Sequence, residues 1–391
     1  MDLDERIERR QRRDDGPRLL RDLESLSPVA HVEDPSDRGP VFERLLDHLD
    51  PVFDGNLPPN AYLHGPFGCG KSAVVTALFS RLGRLPTETR SVIHTSTRAA
   101  EPTSPGFVYV DMRTATSEFA FYRNVLNALV EEPIPRHGIS TDEVRARLHR
   151  RLGTSRTGVV VAVDHVTGPG SVDTDELVDL FAGLPSNVSW LGIGRAPPAE
   201  TQLVEYTAST IAVDRYRRQP LVDVLMQRSS LGLAPQALEH TLARRIAEWA
   251  DGNAHDALAV LFIAATHADA ANRTRLTEHD VTEATTEMPS PSISLGRVLA
   301  LPPNERLVLR RLAELRPEER VSVGRTTEAI TADPAVDLSP GTVKRFLYEL
   351  AEDGVVERVR VEGSDGRGRP PSRIEFPFPP TVFRRLYDLR Q

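Results

Sequence analysis

The stretch that decides the fold reads Gly65-Pro66-Phe67-Gly68-Cys69-Gly70-Lys71-Ser72. It fits the pattern G-x-x-x-x-G-K-[S/T] without a gap, and it lies between a short strand-like segment and a segment with apolar residues at helical spacing. Glycine-rich loops in this context close backbone N–H groups around phosphate oxygens. We therefore expect a phosphate-binding P-loop, in which Lys71 reaches the β- and γ-phosphates and Ser72 offers its hydroxyl to Mg²⁺. The alternative is a glycine-rich turn without a ligand.

Length and composition narrow the class of protein. The chain has 391 residues, enough for two or three domains, and 39% of them are hydrophobic. It has a single cysteine, Cys69, which excludes an internal disulfide and a multi-cysteine zinc site. Because there is no apolar run of membrane-spanning length and the N-terminus lacks the apolar region of a signal peptide, we expect a cytoplasmic protein without a membrane partner.

Five short apolar segments precede residue 216, and helical patterns lie between them. Strands that alternate with helices are typical of a doubly wound α/β domain with a parallel sheet. The expected strands cover residues 61–63, 107–110, 159–163, 188–193 and 210–213. Beyond residue 216 the strand patterns stop, and four helices are expected at 220–231, 235–250, 254–268 and 277–286.

A second acidic group is needed for Mg²⁺ beside a P-loop. The apolar run at 159–163 ends in Asp164, which is the pattern of a Walker B strand. Because the carboxyl ends of parallel strands meet at one edge of a sheet, we expect Asp164 to lie beside the phosphates. The alternative is a core strand that ends in a surface aspartate.

The last ninety residues have a different pattern. Helices are expected at 304–315 and 326–331, and a third begins after the N-cap residue Ser339 with proline at its first position. Two β-like runs at 355–361 and 373–376 enclose a Gly- and Arg-rich segment, so we expect a winged helix. A winged helix that contacts protein instead of DNA is the alternative. The candidate DNA-contacting residues are Thr342, Lys344, Arg345, Tyr348, Arg367 and Arg369.

Charge agrees with a DNA contact at this end, although weakly. The net charge of the chain is −8, while residues 297–391 carry 17 Lys and Arg against 15 Asp and Glu, or +2. An excess this small is also compatible with no nucleic-acid contact at all.

At this point the chain resembles the archaeal Orc/Cdc-type AAA+ replication initiators. The resemblance rests on Pro59-Asn60-Ala61-Tyr62-Leu63-His64-Gly65 before the P-loop, on Val108-Tyr109-Val110-Asp111, on Gly252-Asn253-Ala254-His255-Asp256-Ala257-Leu258, and on the C-terminal winged helix. It implies an AAA+ P-loop core with a five-stranded parallel sheet, a helical lid, ATP or ADP bound between them, and double-stranded DNA at origin-like sites. Other replication proteins are further candidate partners. The expected domains are 1–25, a charged arm; 26–216, the core; 217–290, the lid; and 296–391, the winged helix.

Three residues depart from the family pattern, and all concern steps after binding. His165 follows Asp164 where the family has a water-polarising Glu, Arg195 follows the fourth strand where a polar sensor is usual, and His255 takes the place of the sensor arginine. Arg195 either reaches toward a γ-phosphate or points to solvent. Cys69 either only fills a variable P-loop position or presents a thiol near bound phosphate.

These patterns lead to one main hypothesis and two alternatives. The main hypothesis is an ATP-binding, DNA-binding initiator-like protein that hydrolyses ATP slowly or not at all. The first alternative is a diverged, nucleotide-locked regulator or adaptor that acts in transcription or in plasmid or mobile-element control. The second is a signalling P-loop ATPase that assembles without DNA.

Overall fold

The central sheet of the protein has five parallel strands. The structure, a computed structural model, describes residues 18–32, 35–89, 105–153, 158–290, 292–360 and 372–390. All six residues of the third strand are buried, as its run of valines predicts for a strand covered on both faces. The expected sheet is confirmed, in the order β2-β3-β4-β1-β5. Its strands are β1 (Ala61–His64), β2 (Gly106–Asp111), β3 (Val159–Asp164), β4 (Val188–Gly194) and β5 (Ser209–Ala212).

Helices cover both faces of this sheet. The helix that follows the P-loop packs against β2, and two hydrophobic clusters fill the space on either side of the strands. The core helices are α1 (Gly39–Leu49), α2 (Lys71–Thr89), α3 (Glu118–Asn127), α4 (Thr141–Gly153) and α5 (Thr174–Ala182).

The carboxyl ends of the strands meet at one edge of the sheet and set the position of the site. The P-loop follows β1, and Arg195 follows β4. Asp111 and Asp164, the last residues of β2 and β3, are direct neighbours in the strand register. This is the edge where parallel α/β sheets bind their ligands.

The lid consists of four helices, as expected. Its third helix begins at the N-cap Asn253, whose side chain accepts a hydrogen bond from the backbone N–H of Asp256. Most of that helix is buried, which explains its nearly continuous apolar sequence. The lid helices are α6 (Arg218–Gly232), α7 (His240–Trp249), α8 (Ala254–Ala270) and α9 (Glu278–Glu287).

The N-terminal segment, expected as a charged arm, contacts the lid over the part that the structure describes. Leu19 and Leu26 are buried in the hydrophobic core of the lid. Arg228 of α6 donates hydrogen bonds to the backbone oxygens of Ser27 and Ala30, the second at 2.9 Å. These contacts hold residues 18–30 against the lid. The sequence analysis did not identify the two leucines as core residues because charged residues dominate the segment.

The C-terminal part is a winged helix, as expected, with two helices that the sequence patterns did not predict. The first, α10, precedes it, and the last, α14, follows the hairpin and packs on α8 of the lid. The hydrophobic cluster of the lid continues into the winged helix without a break, so these two parts share one core. The elements are α10 (Leu295–Ala300), α11 (Pro303–Leu312), α12 (Val323–Thr331), α13 (Pro340–Glu352), β6 (Glu357–Arg360), β7 (Ser372–Glu375) and α14 (Pro380–Leu389).

Candidate functional site: the P-loop pocket and the winged helix

The P-loop is held in a conformation that requires glycine at two positions. Gly68 and Gly70 have φ angles of +75° and +84°, in the left-handed region. A Cβ on Gly68 would lie 1.8 Å from the side-chain oxygen of Asn253, and one on Gly70 would lie 2.7 Å from the hydroxyl of Tyr216. Glycine at these positions therefore lets the loop lie directly against the lid.

Lys71 occupies the centre of the pocket. Its ammonium donates hydrogen bonds to the backbone oxygens of Gly65 at 2.7 Å and Pro66 at 2.8 Å. Burial lowers the pKa of this lysine. None of the described carboxylates lies within ion-pair distance of this ammonium, although Asp164 is near enough to oppose the lowering of its pKa.

The carboxylate of Asp164 is fixed by three neighbours. The hydroxyl of Tyr109 donates to Oδ2 at 2.5 Å, and the backbone N–H of His165 donates to Oδ1 at 2.7 Å. Burial opposes ionisation of Asp164, but His165 and hydrogen bonds from Ser72 and Tyr109 hold its pKa below the usual value. Asp164 is therefore ionised and in contact with Ser72, so the structure brings the two predicted metal-binding residues together.

His165 lies beside this carboxylate in an uncommon backbone conformation. Its φ angle is +63°, in the left-handed region. The ring Nε2 is 3.7 Å from Oδ2 of Asp164, which is too long for a hydrogen bond, and it is buried without a hydrogen-bond partner among the described residues. Burial lowers the pKa of the imidazole, so the ring is neutral at pH 7.

Arg195 points into the pocket. Its guanidinium lies 4.4 Å from the centre of the Phe67 ring, on the P-loop itself. Burial, together with Arg113 and Arg297 nearby, lowers the pKa of this group. Because no carboxylate of the described chain pairs with it, Arg195 is a second cation at the pocket without an anionic partner.

The lid contacts the P-loop through its Gly-Asn-Ala-His segment. The backbone N–H of Ala254 donates to the oxygen of Gly68 at 3.0 Å. The His255 ring lies 4.7 Å from the ring of Phe67, and its Nδ1 is 3.0 Å from a carboxylate oxygen of Asp256. The Nε2 of His255 accepts a hydrogen bond from the N–H of Leu295, at 3.2 Å. Both ring nitrogens are therefore committed to protein partners.

Cys69 is fully buried within the loop. Its sulfur lies 3.5 Å from the ammonium of Lys71. The thiol is therefore close to the expected phosphate position, but it has no exposed surface.

Two groups of pocket residues escaped the sequence analysis. Arg38 is buried, donates to the backbone oxygen of Cys69 at 2.7 Å, and stacks 3.6 Å from the ring centre of Tyr216. Arg113 forms a bidentate ion pair with Asp111, with contacts of 2.9 Å and 2.6 Å. The position of Asp111 and Arg113 at the carboxyl end of a parallel strand was a usable signal, whereas nothing in the local sequence marked Arg38.

The residues present fit a nucleotide with a divalent cation. The lysine and Arg195 lack described carboxylate partners, and the glycine loop leaves its backbone free to approach a phosphate. Within the described chain there is no cluster of three or more His, Cys, Asp or Glu residues that would hold a metal. A Mg²⁺ ion that binds with a nucleotide needs fewer protein ligands, because phosphates and waters complete its coordination.

The candidate DNA-contacting residues of α13 lie on its outer side. Lys344 and Arg345 are exposed, while Thr342 and Tyr348 are partly exposed. Arg345 lies 3.5 Å from Glu349, one turn further along the helix. Arg367 and Arg369 belong to residues 361–371, which are outside the described residues.

Arg358 of β6 is a further cation on this surface that the sequence analysis did not single out. Its guanidinium lies 4.7 Å from the ring centre of Tyr348 and so joins the hairpin to α13. Arg360, two residues along the same strand, is exposed on the same face of the hairpin. The alternation of side chains along a strand could have indicated that Arg358 and Arg360 lie on the same face.

The fold and the pocket define a P-loop ATPase of the AAA+ class, and comparison with known proteins specifies it further. The family model for the AAA ATPase domain matches residues 37–191, and the model for the Cdc6 AAA+ ATPase-type lid domain matches residues 222–286. These two matches, together with the relatives below, support an archaeal Orc/Cdc-type AAA+ initiator. An AAA ATPase domain implies nucleotide binding.

Individual relatives have low sequence identity to this chain but match it over most of its length. ORC1-type DNA replication protein 1 of Sulfolobus acidocaldarius is 25% identical over 284 residues, which span 69% of this chain and 68% of that protein. The structure of Aeropyrum pernix ORC1 in complex with DNA has a TM-score of 0.60 at 22% identity, covering 94% of this chain and 96% of that one. Cdc6p of Pyrobaculum aerophilum gives 0.54 at 19% identity, covering 95% and 99%. These two structures establish a common fold.

The helices of the described residues were also compared with the requirements of a lipid bilayer. None of them combines the length and the apolar character that a transmembrane span needs.

Proposed function

We propose that the protein binds ATP or ADP with Mg²⁺, hydrolyses ATP slowly or not at all, and binds duplex DNA as an initiator-type protein. One observation carries the proposal. The P-loop lysine is buried beside an oriented Asp164, while a neutral histidine takes the place of the water-polarising glutamate. The lysine and Asp164 support nucleotide binding, and the histidine supports slow hydrolysis.

Binding would use the groups that already face the pocket. Lys71 would exchange its two backbone acceptors for phosphate oxygens, which are stronger partners for an ammonium. Ser72 and Asp164 would hold Mg²⁺, which when bound neutralises charge on the phosphates. The hydroxyl of Tyr109 would keep one oxygen of Asp164 in place during this exchange.

Hydrolysis would be limited by His165. A carboxylate at this position is a permanent acceptor for the proton of an attacking water, whereas a neutral imidazole is a single acceptor whose orientation matters. Among the described residues, no hydrogen bond holds the Nε2 of His165 in a fixed orientation. Losing an effective base lowers the rate by about 10²–10⁴.

DNA binding is supported by the exposed cations of α13 and the hairpin, and by what the relatives do. A solved relative, A. pernix ORC1, is bound to DNA, and the curated relatives are named DNA replication proteins. If Lys344 and Arg345 contact phosphates, affinity falls steeply as salt increases. A flat salt dependence would instead favour a protein-binding winged helix.

One experiment tests the whole proposal. The purified full chain is assayed for copurified nucleotide, for added Mg²⁺–ATP affinity, and for single- and multiple-turnover hydrolysis, each with and without duplex DNA. We expect tight nucleotide binding and an ATP turnover rate well below that of ordinary AAA+ ATPases. A rapid turnover that is abolished by Asp164→Asn would overturn the slow-hydrolysis part, and no nucleotide binding would overturn the rest.

A regulator without origin activity remains a second candidate because of one contact. The sensor position His255 is bonded to Asp256 and to the N–H of Leu295, so it is tied to the protein and not to the phosphates. Footprinting on genomic DNA separates the two candidates. An initiator protects a few sites near replication origins, and a regulator protects sites elsewhere.

A further inference from the structure

Arg38 holds the P-loop from a residue that is itself firmly fixed. It stands directly before α1, and its backbone oxygen accepts hydrogen bonds from the N–H groups of Val41 and Phe42, both at 2.9 Å. Its side chain does not cap that helix. Instead, the buried Nη2 donates to the backbone oxygen of Cys69 at 2.7 Å. Because α1 packs into the hydrophobic cluster beside β1, this donor sits on a rigid support.

The bond to Cys69 determines which way the next N–H points. A trans peptide is planar, so the carbonyl of Cys69 and the N–H of Gly70 point in opposite directions. Cys69 is fully buried, whereas Gly70 borders the nucleotide pocket. With the carbonyl held by Arg38 on the buried side, the Gly70 N–H is turned toward the pocket. Backbone N–H groups with this orientation are the ones that bind phosphate oxygens in a P-loop.

Tyr216 keeps the guanidinium and the peptide in place. The guanidinium carbon of Arg38 lies 3.6 Å from the centre of the Tyr216 ring, which attracts a cation to its face. The hydroxyl of the same ring lies against Gly70, since a Cβ there would be 2.7 Å from it. The arginine, the ring and the glycine therefore pack together, and a reversed peptide would lose the bond from Arg38.

The contact of Arg38 differs from those of Lys71. The ammonium of Lys71 binds the oxygens of Gly65 and Pro66, and we propose above that it exchanges them for phosphate oxygens. The bond from Arg38 faces away from the pocket, so a nucleotide does not compete for it. Arg38 can therefore hold the loop both before and after a nucleotide binds.

We propose that Arg38 is a positioning residue for phosphate binding, which holds the Cys69–Gly70 peptide with the Gly70 N–H toward the phosphates before a nucleotide arrives. This role rests on the proposed nucleotide binding. Arg38 does not touch the phosphates and acts through the peptide. Since the phosphate site is then formed in the free protein, an anion without a base, such as pyrophosphate, binds there too.

The test is calorimetric titration of the nucleotide-free full chain with ADP and with pyrophosphate, each with Mg²⁺. Arg38→Met removes the donor and keeps a long side chain against Tyr216. We expect the affinity for both ligands to fall about tenfold, as for the loss of one hydrogen bond from a charged donor. Arg38→Lys keeps the charge but not the planar group, so it should bind both ligands about threefold more weakly than the wild type.

Arg123→Met is the matched control. Arg123 of α3 is half-buried, and its Nε also donates to a backbone oxygen, that of Ile134, at 2.9 Å. It is not among the residues that border the nucleotide pocket. This variant should bind both ligands as the wild type does. Should Arg38→Met fail to fold, the comparison of Arg38→Lys with the wild type decides.

Three outcomes would overturn the role of Arg38 and leave nucleotide binding intact. The first is wild-type affinity for both ligands in Arg38→Met or, where that variant does not fold, in Arg38→Lys. The second is a loss for ADP alone, which would show that Arg38 acts at the base through Tyr216. The third is an equal loss in Arg123→Met.

The wild type separates this role from the proposed function. Binding of ADP without any binding of pyrophosphate would overturn a phosphate site formed in advance, and with it the role of Arg38. Binding of neither ligand would overturn the proposed function as well.

Discussion

The two sides of the nucleotide pocket differ in what their side chains already contact. On the binding side, formed by the P-loop and Asp164, the buried Lys71 donates to two backbone oxygens and to the sulfur of Cys69 within the same loop. The response side is formed by His165, Arg195 and His255. Two of these side chains already contact other residues of the protein: Arg195 stacks on Phe67, and His255 bonds to Asp256 and Leu295. The comparison teaches that the groups proposed to hold a nucleotide contact mainly the P-loop itself, whereas His255, proposed to respond to one, is bonded to the lid and to helix α10.

The largest expected effect comes from restoring the response side. His165→Glu places a carboxylate beside Asp164, and we expect ATP turnover to rise by about 10²–10⁴ if the missing base is the main defect. Turnover is measured as phosphate release under saturating Mg²⁺–ATP. His165→Gln is the matched control, because it has the size of Glu without a base. No gain in His165→Glu would mean that Arg195 and His255 limit hydrolysis instead.

Removing the central cation of the binding side should have the next largest effect. Lys71→Ala deletes a charged donor from a buried site, so we expect nucleotide affinity to fall about a hundredfold. The matched control is Lys344→Ala, at the other lysine of the chain, which lies exposed on α13. It should leave nucleotide affinity unchanged and weaken DNA binding. Equal nucleotide affinities for the two variants would contradict the assignment of the pocket.

The binding side could be predicted from sequence to a far greater extent than the response side. The P-loop and the Walker B aspartate carry their chemistry in consecutive residues, and the parallel sheet brings their ends together, so local patterns were sufficient. The contact of His255 with Leu295 joins residues 40 positions apart, and Arg38 reaches Cys69 from an irregular segment. Such contacts depend on how the lid and helix α10 pack, which the periodicity of the sequence does not encode.

Packing between distant parts of the chain also explains why the N-terminal arm and helix α14 differ from what the sequence predicted. The N-terminal segment was expected only as a charged arm because its charges outnumber its apolar residues, yet Leu19 and Leu26 lie in the lid core. Helix α14 went unpredicted because its buried residues, Val382, Phe383 and Leu386, form too short a pattern by themselves. In both places burial against another domain overrides the local composition.

Arg195 tests whether the response side touches phosphate at all. If its guanidinium leaves Phe67 for a γ-phosphate, Arg195→Ala should weaken ATP binding about tenfold and ADP binding much less, as expected for one charge-assisted contact. Equilibrium titration with both nucleotides measures the difference. Arg195→Lys keeps the charge and should retain part of the preference. Equal losses for ATP and ADP would show that the arginine only packs against the loop.

His255 should have the smallest effect on nucleotide and a distinct effect on the fold. In His255→Ala the buried N–H of Leu295 loses its acceptor, so we expect the free energy of unfolding to fall by about 1–3 kcal/mol. Nucleotide affinity should change less than about threefold, which is a smaller change than the loss of one charge-assisted hydrogen bond would cause. Denaturant unfolding and nucleotide titration of one preparation give both numbers. His255→Gln, which can still accept from Leu295, should recover part of the stability. A variant as stable as the wild type but with weakened ATP binding would place His255 on the phosphates, and the two sides of the pocket would then differ less than their contacts indicate.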